Sequence, residues 1–68
     1  MAIQIVVNGK SASAPDAQTI LGLLHDLGLD PERVAVELDR RIIKRPDWGG
    51  MVLDPGARLE IVQFVGGG

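Results

Sequence analysis

The sequence contains no cysteine, which removes disulfides, thiolate metal sites and a thiol nucleophile together. Aromatic side chains are scarce: Trp48 and Phe64 stand alone, and there is no tyrosine. Trp48 is expected to pin an irregular segment to the rest of the fold rather than to bind a ligand. No apolar run approaches the length of a membrane span, and the first residues lack the basic start and long apolar stretch of a secretory signal. A cytoplasmic location and no membrane partner are the expectation. The 7 basic residues are not gathered into one stripe, apart from Arg40, Arg41, Lys44 and Arg45, so nucleic acid is not an expected partner.

What is present fits one small domain. A chain of 68 residues has room for a single modest core and little room for a cleft-type active site. Its 46% hydrophobic and 24% charged residues lie in the range of folded proteins, which excludes disorder and fibrous repeats. Residues Ile3 to Val7 alternate as a strand, Asn8-Gly9 is a strong hairpin turn, and a return strand runs from Lys10 to about Ala14. After Pro15-Asp16, Thr19 can cap a helix in which Ile20, Leu23, Leu24 and Leu27 share one face, and Gly28 ends it. Such a short helix, with Gly22 in its interior at a cost of about 1 kcal/mol, persists only by packing its leucines on a sheet. Beyond Asp30-Pro31, Val34, Val36 and Leu38 alternate as a third strand. Asp39-Arg40 turns the chain into a fourth, Arg41 to Lys44. Pro46 to Gly50 reads as irregular, Met51 to Leu53 as a short apolar piece, Asp54-Pro55-Gly56 as a turn, and Arg58 to Val65 as the last strand.

Hairpin, helix, two strands and a final strand make an α+β fold. The arrangement that best accommodates this order is the ubiquitin-like β-grasp, a mixed four- to five-stranded sheet with one short helix across it. Residues 1–65 form the expected domain, and 66–68 a flexible glycine tail.

In the last strand Leu59 and Ile61 should face the helix, which leaves Val62 and Phe64 on the other face unless the alternation slips near the end. Exposed there, Val62 and Phe64, with Val6, would form a docking patch for a partner protein. Gly66, Gly67 and Gly68 can enter a narrow channel because they carry no side chains. Four residues beyond Phe64 extend to roughly 13 Å, far enough to present a carboxylate on Gly68 inside another protein. That carboxylate is ionised at neutral pH. It can attack the α-phosphorus of ATP, displace pyrophosphate, and as an acyl-adenylate accept sulfur to become a thiocarboxylate. A carrier of this kind needs no cysteine.

The early strand with Asn8-Gly9, Thr19-Ile20 with Leu23-Leu24, Val34-Ala35-Val36-Glu37, Arg45 three residues before Trp48, Gly56 before Leu59-Glu60-Ile61-Val62, and the ending Phe64-Val65-Gly66-Gly67-Gly68 occur in that order. Together they resemble the small sulfur carriers of thiamine thiazole biosynthesis, relatives of ubiquitin and of the small subunit of molybdopterin synthase. The resemblance runs the length of the chain. It implies that Gly68 is adenylated by an ATP-dependent, E1-like partner enzyme and becomes the thiocarboxylate, with Gly67 the second required tail residue. It further implies a sulfur donor system, and a thiazole synthase that accepts the sulfur. The chain would be a cosubstrate rather than an enzyme, with no bound cofactor and ATP used only by the partner. Ala57 stands where the family often has an acidic residue and Asp39 where Asn is usual, both read as turn positions.

The remaining polar residues invite bland readings. His25 is the only histidine and sits beside the leucine face, as a solvated residue does. Asp26, Asp30 and Glu32 cluster at a helix end and a turn, where charge sits in water. Arg40, Arg41, Lys44 and Arg45 read as a solvated edge that discourages strand pairing. No nucleophile, base or metal constellation can be assembled. Alternatives to the thiazole carrier are a carrier for molybdopterin or tRNA thiolation, a protein modifier joined to lysines through Gly68, and a β-grasp binding module with an idle tail.

Overall fold

The computed structural model describes residues 1–65; the Gly66, Gly67 and Gly68 tail lies outside the described residues. Strands β1 (Ala2–Val7), β2 (Lys10–Pro15), β3 (Val34–Leu38), β4 (Arg41–Ile43) and β5 (Arg58–Gln63) and helix α1 (Ile20–Asp26) follow the expected order. Single-turn 3₁₀ helices, η1 (Pro31–Arg33) and η2 (Arg45–Asp47), fill the two connections flanking β3 and β4.

Both hairpins turn on pairs of residues with positive φ, the condition that matches turn twist to strand twist. Asn8 and Gly9 have φ of 51° and 81°, and Asp39 and Arg40 have φ of 48° and 70°. Helix α1 begins on the Thr19 hydroxyl, which accepts from the Gly22 N–H at 3.0 Å. It ends in a Schellman motif: the Gly28 N–H donates to His25 O at 3.0 Å and the Leu29 N–H to Leu24 O at 2.9 Å. Gly28, at φ 73°, supplies the left-handed residue this closure requires.

The sheet order is β2-β1-β5-β3-β4. The first and last strands are central neighbours and run parallel, while the other pairs are antiparallel. Ile20, Leu23 and Leu24 of α1 pack into one core with Ile5, Val34, Val36, Leu59 and Ile61. Burying each such side chain contributes about 1.5–3 kcal/mol, which is what sustains a helix of 7 residues. The mixed five-stranded sheet with a single helix across it is the expected β-grasp.

Four expectations need correction. Its spacing assigns Leu27 to the apolar helix face, but α1 stops at Asp26, and Leu27, as its C-cap, is 48% exposed. The last strand ends at Gln63 rather than Val65: the Phe64 N–H still donates to Arg33 O at 2.7 Å, in register with β3, but Arg33 already belongs to η1, so there is no strand left opposite for β5 to pair with. The fourth strand ends at Ile43, and Lys44 becomes the cap of η2. Ala57 is more than a turn residue: it is buried in the core, and its carbonyl accepts from the Val6 N–H at 2.9 Å. A small apolar side chain is what that position holds.

Trp48 pins the irregular segment as expected. Its ring is buried and its indole N–H donates to Ile43 O at 2.8 Å. From there Leu21 N–H bonds Trp48 O, Ile20 N–H bonds Met51 O, and Leu53 N–H bonds Gln18 O, which ties the segment to the start of α1.

Candidate functional site

The candidate site is the end of β5, where the chain leaves the sheet toward Gly66. Its foundation is Asn8. β1 pairs with β5 only through Val6 opposite Arg58 and Val7 opposite Leu59, a short ladder for a strand that precedes a tail. Asn8 lengthens it. Its backbone N–H donates to Leu59 O at 2.8 Å; its Oδ1 accepts from the Ile61 N–H at 2.7 Å; and its Nδ2 donates to Ile61 O at 3.1 Å. A primary amide presents the same donor and acceptor as a peptide group, so the turn residue behaves as one more strand residue.

A second clamp holds the start of the same strand. Asp39, in the β3–β4 turn, donates its N–H to Arg58 O at 2.8 Å and accepts from the Arg58 N–H through Oδ1 at 3.0 Å. β5 is thus braced by both hairpin turns and paired with β3 from Leu59 to Gln63. Each such bond is worth about 1 kcal/mol, so the strand carrying the tail is anchored along its length while its end is open.

The sequence-predicted docking residues are exposed or half-exposed, and they occupy distinct positions. Val62 is 59% exposed and lies opposite Ala35 on the face of the sheet away from the helix. Phe64 is 54% exposed and stands beside Asp30, Glu32 and Arg33, so the slip that would tuck it into the core does not occur. Val6 is half-buried on the same outer face as Val62, but its register partner is Arg58, with Glu60 between Arg58 and Val62 along the strand. Gly66, Gly67 and Gly68 lie outside the described residues.

The residues set aside as bland are placed accordingly. His25 has a side chain that is 90% exposed. Asp26 accepts from Gln18 Nε2 at 2.7 Å, and Asp30 accepts from the Glu32 N–H at 2.9 Å as the cap of η1. Among the described residues no three His, Cys, Asp or Glu side chains are placed to hold a metal ion. No helix among them is long and apolar enough to cross a membrane. What sequence reasoning missed is the pairing of Glu37 with Glu60 across β3 and β5; strand alternation put each on the outer face, but only the register brings them side by side.

Known proteins share this architecture. A crystal structure of the thiamine biosynthesis protein ThiS from Geobacter metallireducens superposes with a TM-score of 0.83 at 28% identity, covering 97% of this chain and 100% of that one. A solution structure of a thiamine biosynthesis protein from the same organism gives a TM-score of 0.78 at 29% identity, over 97% and 88% of the two chains. In sequence, the chain is 39% identical over 66 residues to a thiazole synthase of Magnetococcus marinus and 35% identical over 66 residues to one of Paramagnetospirillum magneticum. It spans 20% of the length of each of these curated relatives. The family model described as the ThiS family matches residues 3–68. A match that takes in every strand, the helix, both clamped turns and the three glycines places the chain in the ThiS family.

Proposed function

We propose that this chain is the sulfur carrier of thiazole formation in thiamine biosynthesis, acting as a cosubstrate and not as a catalyst. The observation that carries the reading is the family match through residue 68, and the likeness to proteins named thiazole synthase favours thiazole formation over molybdopterin or tRNA thiolation. The reading requires a free α-carboxylate on Gly68.

In the proposed cycle, a carboxylate oxygen of Gly68 attacks the α-phosphorus of ATP on an E1-like adenylating enzyme. An acyl–phosphate bond forms and pyrophosphate leaves. A sulfide nucleophile then attacks the acyl carbon, AMP departs, and the product loses its S–H proton to give the thiocarboxylate. The thiocarboxylate sulfur goes to thiazole synthase. The fold contributes a braced β5 that holds its place while the tail is drawn into a partner, and exposed Val62 and Phe64 with half-buried Val6 as groups for partners to meet.

The test is intact mass after incubation with ATP, magnesium, inorganic sulfide and the adenylating enzyme. The full chain should gain the mass of one oxygen replaced by one sulfur, and a variant lacking Gly67 and Gly68 should gain nothing. An unchanged mass with an adenylating enzyme shown to be active would leave a binding module as the better reading.

A further inference from the structure

Asn8 is the only asparagine in the chain, and Gly9 follows it. The pair has a reactivity that the proposed function does not use. The backbone nitrogen of the residue after an asparagine can attack the side-chain Cγ, and glycine hinders that approach least because it has no side chain. Only a base and water are needed. As the Gly9 nitrogen gives its proton to a solvent base, a bond forms from that nitrogen to Cγ, the Cγ–Nδ2 bond breaks, and ammonia leaves. Water then opens the cyclic imide. Attack at one carbonyl gives aspartate, and attack at the other gives isoaspartate, in which the main chain runs through the former side chain. Nothing is oxidised or reduced.

The structure gives the turn access to solvent but holds the amide. Asn8 and Gly9 are both exposed, and a Cβ at Gly9 would meet no atom within 4 Å, so base and water reach the turn. The amide faces β5. Its Oδ1 accepts from the Ile61 N–H at 2.7 Å and its Nδ2 donates to Ile61 O at 3.1 Å, so turning Cγ onto the Gly9 nitrogen breaks both bonds. A further bond, from the Asn8 N–H to Leu59 O at 2.8 Å, ties the backbone of the same residue to β5. These bonds are released when β1 and β5 part. The two strands share only the register pairs Val6 with Arg58 and Val7 with Leu59, a short junction of the kind that opens without global unfolding.

We infer that Asn8 is a spontaneous modification site gated by the fold: it keeps its amide while β1 and β5 are joined and loses it through Gly9 when they part. The product acts back on the gate. Aspartate sets a carboxylate oxygen against Ile61 O where the Nδ2 donor stood, which leaves that carbonyl without its partner. Isoaspartate adds a main-chain atom to a turn built on φ values of 51° and 81°, and so displaces the strand ends that the turn joins. Either product loosens the strand that leads to Gly68 and makes the next opening more frequent. The chain thereby keeps a chemical record of the time it has spent open. The inference rests on the clamp and is independent of the sulfur chemistry proposed above.

The experiment follows the full chain in mildly alkaline buffer without denaturant, in guanidinium chloride below the unfolding transition, and fully unfolded. Intact mass reads the replacement of the amide nitrogen by oxygen, peptide mapping places it at Asn8, and methylation by a protein isoaspartate methyltransferase counts the isoaspartate. Asn8→Asp is the blank. The unfolded chain should react about tenfold or more faster than the native one, and the native rate should rise with denaturant before the unfolding transition begins. Ile61→Val keeps the main-chain groups that Asn8 bonds and weakens the packing beneath them. It should react about two- to tenfold faster than wild type in the native state and at the same rate when unfolded. Reacted chain, separated from unreacted, should unfold at a lower denaturant midpoint. Equal native and unfolded rates, a faster native rate, a rate that rises only within the unfolding transition, a native Ile61→Val rate equal to that of wild type, or a reacted chain with an unchanged midpoint would each overturn the inference.

Discussion

At Asn8 a side-chain amide takes the place of a peptide group, and the consequence can be tested without disturbing the turn. Asp tolerates positive φ nearly as well as Asn, so Asn8→Asp keeps the hairpin geometry while replacing the Nδ2 donor with an oxygen that faces Ile61 O. Loss of that bond, with two acceptors set against each other, should lower stability by about 1–3 kcal/mol. The expected signature is a lower urea midpoint at an unchanged m-value. Arg40 is the reverse case. With φ at 70° it holds a left-handed conformation that costs a side-chain-bearing residue roughly 1 kcal/mol. Arg40→Gly should therefore raise the thermal midpoint slightly, by up to about 0.5 kcal/mol in stability after allowing for the greater freedom of glycine in the unfolded chain.

Helix α1 shows how an element can carry a poor residue for a local reason. Gly22 lowers its intrinsic propensity, but a Cβ there would run into the Gln18 side chain and come within 3.2 Å of the capping Thr19 hydroxyl. Gln18 crosses the helix at this point to donate to Asp26. Gly22→Ala alone should be close to neutral, since the gain in propensity is offset by displacing Gln18 and crowding the cap. Combined with Gln18→Ala it should stabilise by up to about 1 kcal/mol. Thermal unfolding of the two variants decides between this account and one in which Gly22 is merely tolerated. The sheet has its own version of the same economy. β1 and β5 share only two register pairs, and the turns at Asn8 and Asp39 supply through side chains the ladder bonds that the strands lack.

For the whole molecule, the body and the tail should be separable. The core ends at Ile61 and the last ladder pair is Val34 with Gln63, so removal of Gly67 and Gly68 should leave the unfolding midpoint unchanged while abolishing thiocarboxylate formation. A drop in midpoint would mean that the tail contributes to the packed body. The polarity of the surface is divided as well: an outer sheet face with carboxylates at its centre, and an exposed basic edge at Arg40, Arg41, Lys44 and Arg45.

Local chemistry was legible in the sequence because it depends on neighbours along the chain. Asn8-Gly9 and Asp39-Arg40 mark their turns, Thr19 marks the helix start and Gly28 its end, and period-two alternation tells which residues of each strand share a face. The resemblance that led to the ThiS family is likewise a matter of residue order. Tertiary structure alone decided what depends on residues far apart. Neither the central parallel pairing of β1 with β5, nor the Asn8 amide bonded to a residue 53 positions away, nor the burial of Ala57 leaves a local trace. Leu27 illustrates the limit: its spacing fits the helix face, but where a helix stops is set by a closure that competes with continuation, and here the Schellman bonds at Gly28 and Leu29 won. Alternation placed Glu37 and Glu60 on one face; only the register of β3 against β5 set them side by side, because strand pairing is fixed by how two apolar faces meet in a shared core and not by either strand alone.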